Sequence, residues 1–158
     1  MTEQSLYQEQ VKALAHAAHG AGRLSGPDGH AVQDNPLCGD RVDIDIKMAS
    51  DGTIAALGHD IRGCLLCQAS ASGLAAAAPG LRPQQITEAR QAIERMLHAV
   101  DATSDSLDGM PAFAAFTAFL PVHRSKSRHA CILLPFLATE KALEMATGTN
   151  STKEDATC

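Results

Sequence analysis

The sequence predicts an α+β domain in which a small antiparallel sheet of two to three strands packs against four to five helices. Two observations carry this prediction. Apolar and polar residues alternate over one short stretch, and apolar residues recur at helical spacing over several longer ones. The chain has 158 residues, 45% hydrophobic and 20% charged, which suits a single globular domain. We expect this domain over residues 1–146 and a disordered tail over 147–158.

The first half of the chain is predicted to supply one helix and the sheet. Apolar residues at helical spacing predict an amphipathic helix over 6–19. Glycines and a proline follow it and leave room for at most one short strand, around 23–24. Alternation predicts a strand over 41–48, and the turn Ser50-Asp51-Gly52 leads into a partner strand over 53–61.

The second half is predicted to be helical. Helices are expected over 64–78 and 83–100. Closely spaced phenylalanines favour a short helix before Pro121, and polar residues predict an exposed loop over 123–127. The last helix is expected to begin near Cys131 and end at about residue 146, because Pro135 is best tolerated in a first turn.

Charge and hydropathy exclude two classes of partner. Thirteen basic and 18 acidic residues give a net charge of -5, which argues against nucleic acid. No apolar run approaches the roughly 20 residues that span a bilayer. The polar N-terminus has no signal-peptide pattern. We therefore expect a cytoplasmic protein that binds neither nucleic acid nor membrane.

Five cysteines are the unusual feature of the composition. An odd number without an export signal argues against a disulfide framework and favours metal binding, redox or sulfur chemistry, or simple packing. Cys38 shares a turn with Asp40, and a thiol and a carboxylate so placed can chelate one metal ion. Cys64 and Cys131 are each expected at a helix start, where unpaired N–H groups favour the thiolate.

The other two cysteines are expected to lie outside such a site. Cys67 follows Cys64 at helical spacing and is predicted to pack as a small hydrophobe, with a place beneath a metal site as the alternative. Cys158 is expected to be an oxidisable bystander in the tail.

Three motifs in order make the chain resemble the U-type iron–sulfur cluster scaffolds, the IscU, SufU and NifU N-terminal proteins. The resemblance extends over about residues 5–146. It is closest to the SufU-like branch, because of Arg128 and the long interval between Cys64 and Cys131. The motifs are Asn35-Pro36-Leu37-Cys38-Gly39-Asp40, then Gly63-Cys64 with Gln68-Ala69-Ser70-Ala71-Ser72, and finally Arg128-His129-Ala130-Cys131.

This resemblance implies a scaffold or sulfur carrier rather than a turnover enzyme. It implies that a cysteine desulfurase supplies sulfur, that a transient [2Fe–2S] cluster is assembled, and that apo iron–sulfur acceptor proteins receive the product. The ligands to Zn or Fe and to the cluster are then Cys38, Asp40, Cys64 and Cys131.

The resemblance also implies roles for single residues. Cys38 is the expected sulfur acceptor, with Cys131 as the alternative. Arg128 is expected either to stabilise thiolate or persulfide charge or to be a solvated cation. His129 is not counted among the ligands, because Ala130 occupies the position directly before the last cysteine.

Two other functions stay open at this point. The protein could be an interaction module stabilised by zinc, in which case loss of a ligand unfolds it. It could instead be a thiol–disulfide oxidoreductase that uses Cys64 and Cys67. The apolar pair between these two cysteines and the lack of a βαβ pattern argue against the oxidoreductase.

Overall fold

The computed structural model describes residues 3–37, 39–99 and 107–148 and confirms the α+β prediction. Its three strands form one antiparallel sheet in the order β1-β2-β3. No helix in these ranges is long and apolar enough to cross a membrane. The elements are α1 (Glu3–Ala17), β1 (Gly29–Asn35), β2 (Asp40–Met48), β3 (Ile54–Arg62), α2 (Leu65–Ala77), α3 (Pro83–His98), a 3₁₀ segment (Pro111–Arg124) and α4 (Lys126–Thr147).

Strand β2 forms the centre of the sheet and confirms the alternation seen in the sequence. Its residues Val42, Ile44 and Ile46 are fully buried, as expected for β-branched side chains on the inner face of a pleated strand. The predicted partner strand is β3, and Val42 lies opposite Ile61 in the register. Because the two strands are antiparallel, the start of β2 lies beside the end of β3 and therefore next to the start of α2.

Strand β1 corrects the prediction for the glycine-rich stretch, because Arg23 and Leu24 lie in no strand. The strand instead runs over Gly29–Asn35 along β2. Its sequence has little apolar alternation, so its place depends on backbone pairing and on the helix that covers it. A Cβ at Gly29 would come within 2.0 Å of the Ala142 carbonyl oxygen, which shows how closely α4 lies on this strand.

Two predictions for the last third of the chain are wrong. The 3₁₀ segment runs through Pro121 to Arg124, so residues 123–127 form no separate loop, although 124–127 are exposed. The segment is kinked at Phe113, whose φ of -106° and ψ of 15° are not helical, and its three phenylalanines are buried. These side chains are Phe113, Phe116 and Phe119.

Helix α4 begins at Lys126, five residues before the predicted start, and Pro135 lies in its interior. Two hydroxyl groups bond to carbonyls in the turns beside this proline. Ser70 donates to the carbonyl of Ile132 at 2.6 Å, and Thr139 donates to the carbonyl of Pro135 at 2.8 Å. Cys131 consequently occupies the second turn of the helix and not its start.

Helix α2 is the most buried of the described helices and packs against elements from both halves of the chain. It contacts α1, α4, β3 and the 3₁₀ segment. Its small residues permit this close packing, since a Cβ at Gly73 would lie 2.9 Å from the Phe116 ring.

Residues 100–106 and the predicted tail from 149 onward lie outside the described residues, and the domain boundary at 146 stays a prediction.

Candidate metal site

Three of the predicted ligands meet at one end of the sheet. Asp40 is the first residue of β2, Cys64 directly precedes α2, and Cys131 lies on α4. One ligand atom from each, a carboxylate oxygen or a sulfur, lies within 4.8 Å of the others. Asp40 and Cys131 are buried, and Cys64 is half-buried. Over the described ranges, no other three His, Cys or acidic side chains are grouped in this way.

Asp40 ties the first residue of β2 to the start of α2. Its Oδ1 accepts a hydrogen bond from the backbone N–H of Cys64 at 3.1 Å. Its Oδ2 accepts one from the Cys64 thiol, with 3.5 Å between the oxygen and Sγ. The first N–H groups of a helix have no partner within the helix, so the carboxylate satisfies a donor there and also faces the sulfur.

Gly63 makes room for this carboxylate. A Cβ at position 63 would lie 2.9 Å from both Cγ and Oδ1 of Asp40. On the other side of the turn, Gln68 Nε2 donates to the Gly63 carbonyl at 2.9 Å. Both residues belong to the second motif of the sequence, but their roles depend on close backbone approach, which a sequence pattern does not reveal.

The turn between β1 and β2 holds the fourth predicted ligand, Cys38, which lies outside the described residues. Its neighbours are described. Asn35 Oδ1 accepts from the N–H of Leu37 at 3.1 Å, and the Asn35 carbonyl accepts from the N–H of Gly39 at 2.8 Å. Gly39 has a φ of +75°, which glycine adopts without strain. Leu37 is 93% exposed, so its side chain projects into solvent.

His129 and Arg128 precede Cys131 but lie outside the cluster. His129 is buried, and its Nε2 lies 3.1 Å and 3.0 Å from the carbonyl oxygens of Val122 and His123. Because both partners are acceptors, Nε2 carries the proton, and the imidazole joins α4 to the 3₁₀ segment. Arg128 is exposed and lines a cleft of about 450 Å³. Leu65 of α2 also lines this cleft, together with residues of α1 and of the 3₁₀ segment.

Cys67 lies in the hydrophobic core and is fully buried, which confirms its predicted role as a small packed side chain. It is not a member of the cluster. Cys158 lies outside the described residues.

The donor set of the cluster suits a transition metal. Zinc and iron both accept thiolate sulfur and carboxylate oxygen. When Cys64, Cys131 and Asp40 are all deprotonated, three negative charges lie within 4.8 Å of one another, an arrangement that a shared cation stabilises. Three ligands also leave one position of a four-coordinate ion for a further donor.

Comparisons with known proteins agree with this geometry. Residues 6–121 match the family model described as the NifU-like N-terminal domain. The crystal structure of a nitrogen-fixing NifU-like protein (N-terminal) from Brucella abortus is 30% identical, with a TM-score of 0.80 over 92% of this chain and 97% of that chain. No curated protein gives a significant match.

A second solved structure supports the fold alone. It comes from Fervidobacterium islandicum and is described as an iron–sulfur cluster assembly scaffold for the SUF system. It is 21% identical, with a TM-score of 0.72 over 90% of this chain and 99% of that chain.

Proposed function

Because the chain belongs to the NifU-like N-terminal domain family, we propose that it is an iron–sulfur cluster assembly scaffold that accepts sulfur from a cysteine desulfurase. The observation that carries this proposal is the convergence of Asp40, Cys64 and Cys131 within 4.8 Å. Family membership supplies the class of protein, and the donor set supplies the chemistry. The recipients of the product are apo iron–sulfur proteins, and a cytoplasmic location belongs to the same proposal.

The proposed ligands to iron or zinc are these three residues together with Cys38. Thiolates suit this task twice, since they bind iron and also attack a persulfide. In the sulfur transfer, a thiolate of this chain attacks the outer sulfur of the desulfurase persulfide. A new S–S bond forms, the old one breaks, and the desulfurase cysteine leaves as a thiolate. The transfer has no net oxidation or reduction.

Cys38 is the proposed sulfur acceptor. It lies in sequence between Leu37, which is 93% exposed, and Gly39, which is also exposed. Cys131, the alternative acceptor, is 4% exposed and less open to a partner protein. Arg128 is exposed on the cleft beside Leu65 and is proposed to stabilise thiolate or persulfide charge there.

Asp40 gives the site a ligand that can release its cargo. A carboxylate oxygen is a harder and weaker ligand for these metals than a thiolate. When the metal leaves, the carboxylate also has partners at hand, because the backbone N–H and the thiol of Cys64 both donate to it. A scaffold that hands on its product needs such a ligand more than a structural zinc site does.

The test is anaerobic incubation of the full chain with a cysteine desulfurase, cysteine, ferrous iron and a thiol reductant. We expect labile sulfide and the visible absorbance of a [2Fe–2S] cluster in the wild type. Cys131→Ala should lose both, and Cys67→Ala should keep both, since Cys67 lies outside the cluster. A wild-type chain that gains neither persulfide nor labile sulfide contradicts the proposal.

One observation favours a second function, an interaction module stabilised by zinc. The three ligands come from β2, the start of α2, and α4, so a metal ion joins elements far apart in the chain. If zinc is purely structural, Cys38→Ala unfolds. If Cys38→Ala stays folded but takes no sulfur from the desulfurase, the scaffold function holds. The oxidoreductase is disfavoured, because the three described strands pair antiparallel and α2 belongs to no βαβ unit within the described residues.

A further inference from the structure

Helix α4 carries a proline, Pro135, one turn after Cys131. Pro135 has no N–H, so the Cys131 carbonyl, four residues earlier, receives no helical hydrogen bond from it. The proline ring also crowds that carbonyl. The turn with Cys131 is therefore coupled less firmly to the rest of α4 than in an unbroken helix.

Ser70 of α2 binds this turn from outside. Its hydroxyl donates to the carbonyl of Ile132, the residue after Cys131, at 2.6 Å. Ser70 and Ile132 are both fully buried. A serine within a helix often bonds to a carbonyl of its own helix, whereas this one reaches across to α4. The helix that starts after Cys64 is thus bonded to the turn that carries the other sulfur ligand.

We propose that Ser70 is a positioning residue for the metal site, whose hydroxyl keeps the Cys131 turn of α4 at ligand distance from Cys64. A buried hydrogen bond in a low-dielectric core fixes one point of contact, which apolar packing alone does less strictly. The inference rests on the metal-binding part of the proposed function and is independent of sulfur acceptance.

Ser72 offers a matched control on the same helix. It is also fully buried, and its Oγ accepts from the backbone N–H of His19 at 3.0 Å. This bond joins α2 to the segment after α1 and has no partner on α4. Ser70→Ala and Ser72→Ala each delete one buried hydrogen bond of α2, so general loosening of the helix affects both variants.

The first experiment measures Zn²⁺ affinity of the full chain by competition with a chelator, and the absorption bands of the Co²⁺ form. Loss of an outer-sphere contact commonly lowers metal affinity about 10-fold or more. We expect Ser70→Ala to show about a 10-fold loss and altered Co²⁺ bands, and Ser72→Ala to stay within about twofold of the wild type. An unchanged affinity in Ser70→Ala, or an equal loss in both variants, overturns the proposal.

A second experiment needs no metal. In the reduced, chelator-treated chain, the alkylation rate of the buried Cys131 reports how well its turn is held. We expect this rate to rise about fivefold in Ser70→Ala, the equivalent of one hydrogen bond, and to stay unchanged in Ser72→Ala.

The two experiments separate the failures. If the wild type binds no Zn²⁺, the metal site of the proposed function is wrong, and the metal-binding half of this proposal falls with it. If the wild type binds Zn²⁺ but Cys131 is alkylated equally fast in all three proteins, Ser70 does not hold the turn, and the positioning role is overturned.

Discussion

Strand β2 carries two buried carboxylates with opposite surroundings. Asp45 is 1% exposed and accepts hydrogen bonds from Arg23 Nε at 2.6 Å and from His30 Nδ1 at 2.7 Å. Asp40 is 3% exposed and faces the thiols of Cys64 and Cys131. Odd and even positions of a strand face opposite sides of the sheet. Asp40 therefore lies on the side of the core, and Asp45 on the side covered by the segment after α1.

We call the surroundings of Asp45 the closed site, because the chain itself supplies a cation there, and the surroundings of Asp40 the open site, because they can accept a metal ion. Burial alone raises the pKa of Asp45, but hydrogen bonds from Arg23 and His30 and from the Leu24 N–H more than offset this and hold the pKa below its usual range. Arg23 thus balances the charge of Asp45, and the hydrogen bonds from Arg23 and Leu24 hold the loop after α1 against the sheet. The sulfur neighbours of Asp40 become negative when deprotonated, so that end of the strand gains from a cation supplied from outside.

The largest expected effect is on the open site. Cys131→Ala should lower Zn²⁺ affinity by about 100-fold or more, because each ligand contributes several kcal/mol to such a site. Cys67→Ala makes the same chemical change in a fully buried thiol outside the cluster and should leave the affinity unchanged. Chelator competition measures both, and equal losses in the two variants mean that Cys131 is no ligand.

A reciprocal pair of substitutions tests the comparison directly. Asp45→Ala should lower the free energy of unfolding by about 2 kcal/mol, less than a wholly buried pair because Arg23 and His30 reach water. It should not change Zn²⁺ affinity. Asp40→Ala should instead weaken Zn²⁺ binding, because it removes a ligand.

Urea unfolding in the presence of a chelator gives the stabilities for this pair, and competition gives the affinities. A Zn²⁺ affinity that falls as far in Asp45→Ala as in Asp40→Ala shows that the two ends of β2 are not independent.

Two glycines, each of which would place a Cβ 2.9 Å from a neighbouring side chain, test the position of Asp40 in the open site. Gly63→Ala places a Cβ 2.9 Å from the Asp40 carboxylate and should cost about 10-fold in Zn²⁺ affinity, by displacing one ligand. Gly73→Ala places a Cβ equally close to the Phe116 ring and should lower stability by about 1–3 kcal/mol without changing the affinity. Unchanged Zn²⁺ binding in Gly63→Ala contradicts the assigned place of Asp40.

The smallest effect lies outside both sites and concerns pH, at His59 opposite Ile44 in the sheet. Burial lowers the pKa of His59, outweighing its hydrogen bond to the His19 carbonyl and the nearby charge of Asp60. The unfolded chain therefore takes up this proton first as the pH falls through 6.5, so the contribution to stability is full above that pH and declines below it. His59→Gln should flatten this decline by about 1 kcal/mol or less between about pH 7 and 5.

The measurement for His59 is urea unfolding at a series of pH values, with the wild type beside the variant. Parallel pH profiles contradict the assignment. Asp45 acts in a separate window, because its lowered pKa makes its contribution disappear only as the pH falls below the usual carboxyl value of 3.8.

Local periodicity explains why much of the fold could be predicted. The alternation in β2 and the apolar stripe of α3 are each contained in one stretch of sequence, so the sequence predicts both elements to within a few residues. Strand β1 has no such pattern and exists because β2 offers it a backbone partner. The start of α4 differs from the prediction because Pro135 lies in the helix interior, whereas the local rule favours proline in a first turn.

The site shows the same division between local and distant causes. Asp40, Cys64 and Cys131 could be predicted as ligands because each lies in a short motif, and the structure brings the three together. The contributions of Gly63 and Ser70 could not be predicted, because one depends on the empty space beside a carboxylate and the other on a carbonyl of a distant helix. Cys38, outside the described residues, stays a prediction.

The placement of the ligands on three separate elements has a mechanical consequence. An ion bound by Asp40, Cys64 and Cys131 closes a ring of chain from the first residue of β2 to α4, much as a disulfide does, and removes freedom from every segment within the ring. Unloading reopens that ring. Under the proposed function, a partner protein that meets this end of the molecule would therefore encounter a different flexibility in the loaded and in the unloaded chain.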